Sequence, residues 1–205
     1  MGEIVSIHPE NPQQRLISKV VDCLHRGGIV AYPTDSVYAL GCHIGDKQAM
    51  DRIRAIRKLD KHHNFTLMCK DLSELANYAR VDNTAYRALK ATTPGAFTFV
   101  LKASSEVPRR LMHPKRKTIG IRVPQSNIVM SMLDSLQEPM MSVTLMMPED
   151  EYPMTDAYEI NHVLGSQVDM VIDGGYCGME PTTVIDMTDD VPVLLRQGAG
   201  DFSGI

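Results

Sequence analysis

The sequence predicts an α/β fold in which one open, twisted, mixed sheet is flanked by helices. Three observations carry this. Short apolar runs rich in Val and Ile alternate with segments whose apolar residues recur at helical spacing. Helix starts are marked by Asp or Ser and stops by Gly or Pro. Strand patterns dominate the last quarter, so the sheet is mixed and not purely parallel. No repeat, low-complexity tract or linker divides the 205 residues. The chain, 1–205, is therefore expected to be one domain, and it stops at Ile205 soon after its last motif, where no second domain is expected.

In order, residues 4–7 read as a strand, and Asn11-Pro12 opens a helix with Pro placed where a missing N–H costs nothing. Leu16, Ile17, Val20, Val21 and Leu24 give its apolar face, and Gly27-Gly28 stops it. Residues 28–31 read as a buried strand ended by Pro33, which has no N–H for a ladder. Asp46, Asp71, Asp82 and Ser126 read as N-caps of four further helices. Strands are expected over 65–69, 97–101 and 118–123, and an apolar run over 140–147. After an acidic loop (148–155) and a helical pattern over 158–164, strands follow at 168–172, 182–185 and 191–195.

Hydrophobic content of 43% and charged content of 22% describe an ordinary globular chain. Net charge is -4, so any phosphate or nucleic-acid site must come from a local basic patch. No apolar run is long enough to span a bilayer, no basic segment leads into an apolar core at the N-terminus, and no membrane partner is expected. Four widely spaced cysteines without a C-x-x-C pair suit a reduced, cytoplasmic protein with inert thiols, and no metal site is expected.

Chemistry concentrates in residues 32–41, Y-P-T-D-S-V-Y-A-L-G, where Thr34, Asp35 and Ser36 cluster at a strand exit. The alternative reading is a capped turn, since strand exits and helix starts use the same residues. No P-loop, dinucleotide fingerprint or G-x-S-x-G elbow is present, so a phosphate ligand would be held by cations and hydroxyls. The helix end from Arg52 to Lys61 supplies Arg52, Arg54, Arg57, Lys58 and Lys61; the first two also read as a solvated face, and Arg57 and Lys58 complement the helix dipole. Arg122 lies inside an apolar strand, where either a core carboxylate pairs with it or it faces a pocket for an anion, the reading preferred here. Ser142 and Thr144 place two hydroxyls on one strand face. Arg109, Arg110, Lys115, Arg116 and Lys117 form a basic connection.

Taken together, the stretches 27–41, 94–98, 118–124, 181–186 and 196–199 resemble the YrdC/YciO superfamily, closest to its YciO branch. The resemblance covers almost the whole chain. It implies a YrdC-like α/β domain with a concave basic groove. In the best understood relatives that groove makes threonylcarbamoyl-AMP from threonine, bicarbonate and ATP for tRNA modification; others bind double-stranded RNA or tRNA. Carried over residue by residue, the resemblance makes Thr34, Tyr38 and Thr66 shape the substrate pocket, with Arg57, Lys61 and Arg122 catalytic and Arg122 holding a carboxylate or carbamate. Lys58, Ser142, Thr144 and Arg196 would contact ATP or an AMP-type nucleotide, with Mg2+ on its phosphates. Arg52, Arg54, Arg109, Arg110, Lys115, Arg116 and Lys117 would meet RNA. The roles left open are synthesis of the adenylate, its hydrolysis, or binding alone. Two departures fall on the ATP side: the K-x-R-P box of the synthases has no proline here (residues 56–67), and their S-A-N reads Ser142-Val143-Thr144. A hydroxyl in place of an amide removes a donor and shortens reach.

Overall fold

The computed structural model describes residues 2–60 and 63–203. Ten strands form one mixed sheet in the order β1-β8-β2-β3-β7-β4-β6-β5-β9-β10. The strands are β1 (Glu3–Ser6), β2 (Val30–Tyr32), β3 (Ala39–His43), β4 (Thr66–Met68), β5 (Phe97–Lys102), β6 (Thr118–Arg122), β7 (Met140–Thr144), β8 (Met170–Asp173), β9 (Thr183–Asp186) and β10 (Val193–Arg196). Between them run α1 (Gln14–His25), α2 (Lys47–Arg57), α3 (Leu72–Tyr78), α4 (Asn83–Thr92), α5 (Asn127–Leu136) and α6 (Ala157–Leu164).

The predicted caps form: Asp46, Asp71, Asp82 and Ser126 each accept the backbone N–H three residues on, at 2.8–3.3 Å. Asp156 caps α6 the same way (2.9 Å) and was missed. The first helix starts later than Pro12 because His8 and Gln13 close residues 8–13 into a turn of their own: His8 N donates to Gln13 Oε1, and His8 Nδ1 accepts from Glu10 and Asn11. The sequence also gives no sign of β3, whose Ala-Leu-Gly-Cys-His lacks β-branched residues. It exists because β2 and β7 hydrogen-bond it on both sides. Residues 33–38 therefore connect two antiparallel strands and do not lead into a helix.

The two faces of the sheet are covered unequally. On one, Leu40, Leu67, Val143, Ile121, Phe99 and Ile185 pack in a single core with side chains of α2, α3, α4 and α6. On the other, α1 and α5 bury Val30, Tyr32, Ala39, Met68, Met140 and Met170, so their cover stops at the near ends of β7 and β4. Strand register carries this face onward through Ser142, Thr66, Gly120 and Val100, and among the described residues no helix lies over that half. Ser126→Ala should remove the side-chain acceptor at the start of α5. Urea denaturation is expected to show a loss of about 1 kcal/mol with an unchanged slope.

Candidate functional site

The uncovered half of the sheet is the floor of a cavity of about 390 Å³. Alternation along the strands sends one side chain in two to this face, and the hydroxyls so placed are Thr66, Thr98, Thr118, Ser142, Thr144 and Thr182, with Val100, Gly120 and Val184 among them. Arg57 at the end of α2, His63 and Asn64 form one wall; Leu195 and Arg196 of β10 form the other. A narrow inner extension reaches Thr34, Ser36 and Arg122. Depressions of similar volume occur elsewhere, such as one of about 440 Å³ beside Pro33 and the start of α5. Cations facing hydroxyls distinguish this cavity, and no carboxylate lines it among the described residues.

Each wall group is held. Arg57 is 8% exposed and donates Nε to the carbonyl of Thr144 at 2.7 Å. Burial pushes its pKa down from the usual guanidinium value, and Asp150 opposes that shift. Arg196 donates Nε and Nη2 to the carbonyl of Thr182, at 3.1 and 2.7 Å. Neither guanidinium has a carboxylate partner among the described residues. Thr98 and Thr182 share a hydroxyl contact of 2.8 Å. Tyr32, buried under α1 and α5, donates its hydroxyl to Ser142 Oγ at 2.7 Å, and burial raises its pKa so that it stays protonated. Thr183 ties the 196–200 turn to β9 by accepting from Gly198 N at 2.9 Å. A Cβ at Gly198 would stand 2.2 Å from the Pro181 carbonyl, so this approach requires glycine.

At the inner end Thr34 donates to the Val37 carbonyl (2.7 Å) and accepts from Ser36 N (3.0 Å), which closes the 34–37 turn. Arg122 is 5% exposed. Its Nη2 makes a short ion pair with Asp35, Nη1 reaches Ser36 Oγ at 3.4 Å, and Nε is buried without a partner among the described residues. The second oxygen of Asp35 accepts from Gln125 N at 2.9 Å. The acid that neutralises Arg122 therefore comes from the 32–41 stretch itself. Of the two alternatives for Arg122, a carboxylate partner is present, and the residue also lines the pocket.

Thr34, Ser36, Thr98, Thr118, Arg122, Thr182 and Arg196 fall in the stretches that carry the family resemblance, and Arg57, His63, Asn64, Ser142 and Thr144 fall in the two departures from it. The Sua5/YciO/YrdC family model, described as "Telomere recombination", matches residues 22–198. The chain belongs to the Sua5/YciO/YrdC family. YciO of Escherichia coli is 56% identical over 201 residues, 98% of each chain, and its crystal structure matches at a TM-score of 0.95, covering 99% of this chain and 98% of that one. A threonylcarbamoyl-AMP synthase of Coxiella burnetii is 29% identical over 159 residues, 77% of this chain and 84% of that one. The crystal structure of P. abyssi Sua5 complexed with L-threonine matches at a TM-score of 0.87 with 26% identity, covering 95% of this chain and 57% of that one.

Within this family fold the expected residues divide. Arg57, Thr66, Ser142, Thr144 and Arg196 meet in the cavity, and Thr34 and Arg122 line its inner extension. Lys61 lies outside the described residues. Lys58 ends α2 in a left-handed conformation and pairs with Glu149, both exposed, away from the cavity lining. Tyr38 is fully buried, its hydroxyl donating to the carbonyls of Ile172 (3.2 Å) and Gly175 (3.1 Å), and it shapes the pocket only through β8. The expected RNA cations are scattered and do not make the groove basic. Arg52 pairs with Asp169, Arg54 with Asp51, and Arg116 with Asp186; Arg110 donates to the Gly45 carbonyl. Arg109, Lys115 and Lys117 are exposed. His63, Asn64, Thr98, Thr118 and Thr182 line the cavity without having been singled out as site residues. No period-two run of polar residues marks Thr98, Thr118 and Thr182, since Val100, Gly120 and Val184 follow them on the same face; strand register brings them together. All four thiols are free; burial pushes Cys42 up to about 12 and Cys177 to about 11, so both remain protonated at neutral pH.

Tyr38→Phe should leave two carbonyls without their shared donor. A loss of about 1–2 kcal/mol in urea denaturation is expected, with ligand affinity at the cavity unchanged because no ligand contact is removed.

Proposed function

We infer that the cavity binds an adenine nucleotide carrying a threonine-derived acyl group, of the threonylcarbamoyl-AMP type, in connection with threonylcarbamoylation of tRNA. The observation that carries this reading is the donor character of the walls: Arg57 and Arg196, without carboxylate partners among the described residues, face each other across a floor of six hydroxyls. Such a site suits phosphate oxygens. The Coxiella burnetii relative is a threonylcarbamoyl-AMP synthase, and the P. abyssi relative was solved with L-threonine. Transfer at the α-phosphate, in which a carbamate oxygen attacks and pyrophosphate leaves, asks for positioning and charge neutralisation and needs no protein nucleophile. Mg2+ fits as an ion carried in by the phosphates, since the lining offers hydroxyls but no carboxylate. The outer walls hold the phosphates, and Thr34 and Ser36 face the acyl group at the inner end. Thr144, with a shorter reach than an amide, favours binding or turnover of the finished adenylate over its fast synthesis. The setting is the cytoplasm, where ATP and tRNA are both at hand.

Calorimetric titration of ATP, AMP, pyrophosphate and L-threonine against one sample tests the reading. Nucleotide and pyrophosphate are expected to bind, with Arg57→Gln and Arg196→Gln each weakening them by about tenfold or more. No binding of any of the four would refute it.

RNA is the second ligand we infer, on the exposed cations of the 109–117 connection. Arg109, Lys115 and Lys117 have no ion-pair partner among the described residues and are open to phosphate, whereas Arg52, Arg54 and Arg116 must first leave an acid. Replacing Lys115 and Lys117 by Glu should reduce tRNA affinity by about tenfold and flatten its salt dependence. An unchanged affinity in filter binding removes this surface from the interface.

A further inference from the structure

Arg122 looks at first like the strongest anion clamp on the cavity, being a guanidinium almost wholly enclosed beside the substrate end. Its surroundings argue otherwise. Nη2 is held by Asp35 and Nη1 reaches Ser36 Oγ, both from the turn between β2 and β3. Nε is buried, and the charge of the fork is cancelled within the pair. Asp35 is fixed in turn, since its second oxygen accepts from Gln125 N just after β6. The side chains of the pair are 6% and 10% exposed, which keeps water from weakening their attraction. At the outer end the situation is reversed: Arg57 and Arg196 donate to backbone carbonyls, which leave their charge uncancelled.

From this contrast we propose that Asp35 is a specificity-determining residue, whose carboxylate cancels Arg122 and keeps the inner end of the cavity from capturing a phosphate group. The proposal rests on reading the cavity as an oxyanion site and deepens it by dividing the cavity in two. The outer end, with two guanidiniums that have no ion-pair partner among the described residues, takes phosphate groups. The inner end, with hydroxyls and an ion pair whose charges cancel, takes the acyl group. A nucleotide is thereby prevented from entering in the wrong direction, because its phosphates gain nothing at Arg122. Sequence alone hides this, since Arg122 and Asp35 are 87 positions apart and the acid sits in a motif that reads as ligand-binding.

The test is pyrophosphate and AMP titration by calorimetry on three proteins: the natural chain, Asp35→Asn, and the double variant Asp35→Asn with Arg122→Gln. Asp35→Asn keeps an acceptor for Gln125 N but frees the charge of Arg122, so pyrophosphate should bind about tenfold more tightly or add a second site. The double variant is neutral and close to isosteric, and its affinity should stay within about twofold of the natural chain because Arg122 was never a ligand. Thermal melting confirms that each variant is folded, and the double variant decides the matter should Asp35→Asn fail to fold. A tenfold loss of pyrophosphate affinity in the double variant would show that Arg122 binds the anion and overturn the proposal. So would a folded Asp35→Asn that binds pyrophosphate no better than the natural chain. If the natural chain binds no anion but Asp35→Asn does, the inferred function fails while the role of Asp35 stands.

Discussion

The structure depends on an incomplete cover. Helices α1 and α5 pack over β1, β8, β2 and β3 and stop near Met140 and Met68. A sheet face beyond such a boundary would ordinarily present apolar residues to water, at roughly 25 cal/mol per Å² exposed. Here the face changes composition at the boundary: Met140 gives way along β7 to Ser142 and Thr144, and Met68 along β4 to Thr66. The opposite face of the same strands stays apolar, with Met141, Val143 and Leu67 in the core beneath α2, α3, α4 and α6. One strand thus serves a packed core below and a solvated cavity above.

Hydroxyls suit this task better than charges would. Small uncharged side chains let strands lie close, pair with one another or with backbone, and leave hydrogen-bonding capacity over for a ligand. Thr98 and Thr182 do this across β5 and the start of β9. Charge is confined to the rims, where the backbone carbonyls of Thr144 and Thr182 orient Arg57 and Arg196 without neutralising them. Acids at these two positions would have turned the cations into structural ion pairs, as Asp35 does for Arg122.

Much of the fold was legible because it is written locally. Four of the five side-chain caps follow from a single Asp or Ser before an apolar repeat, and nine of the ten strands follow from apolar runs. β3 was hidden because tertiary pairing, and not its own composition, makes it a strand. The site was legible in part. Ser142, Thr144, Arg57 and Arg196 were found because cations and hydroxyls at strand and helix ends are conspicuous. Arg122 was found for the same reason, but its partner Asp35 was not, since that pairing depends on how the β2–β3 turn meets the end of β6. Thr98, Thr118 and Thr182 were missed as site residues because each is unremarkable alone, and strand register, which a linear reading does not contain, assembles them into one surface with Thr66 and Ser142.

Tyr32 shows how the two halves of that surface are coupled. Its ring is packed under α1 and α5 with the apolar cluster, yet its hydroxyl reaches across β3 to Ser142 in the open half. Burial keeps the phenol protonated, so Tyr32 is the donor and Ser142 Oγ the acceptor. A serine hydroxyl carries one proton and two lone pairs. With one lone pair taken from behind, its own proton is free for a group in the cavity. The packing of the covered half therefore fills one lone pair of Ser142 and leaves its proton and second lone pair to the open half, while the guanidiniums at the rims offer donors only.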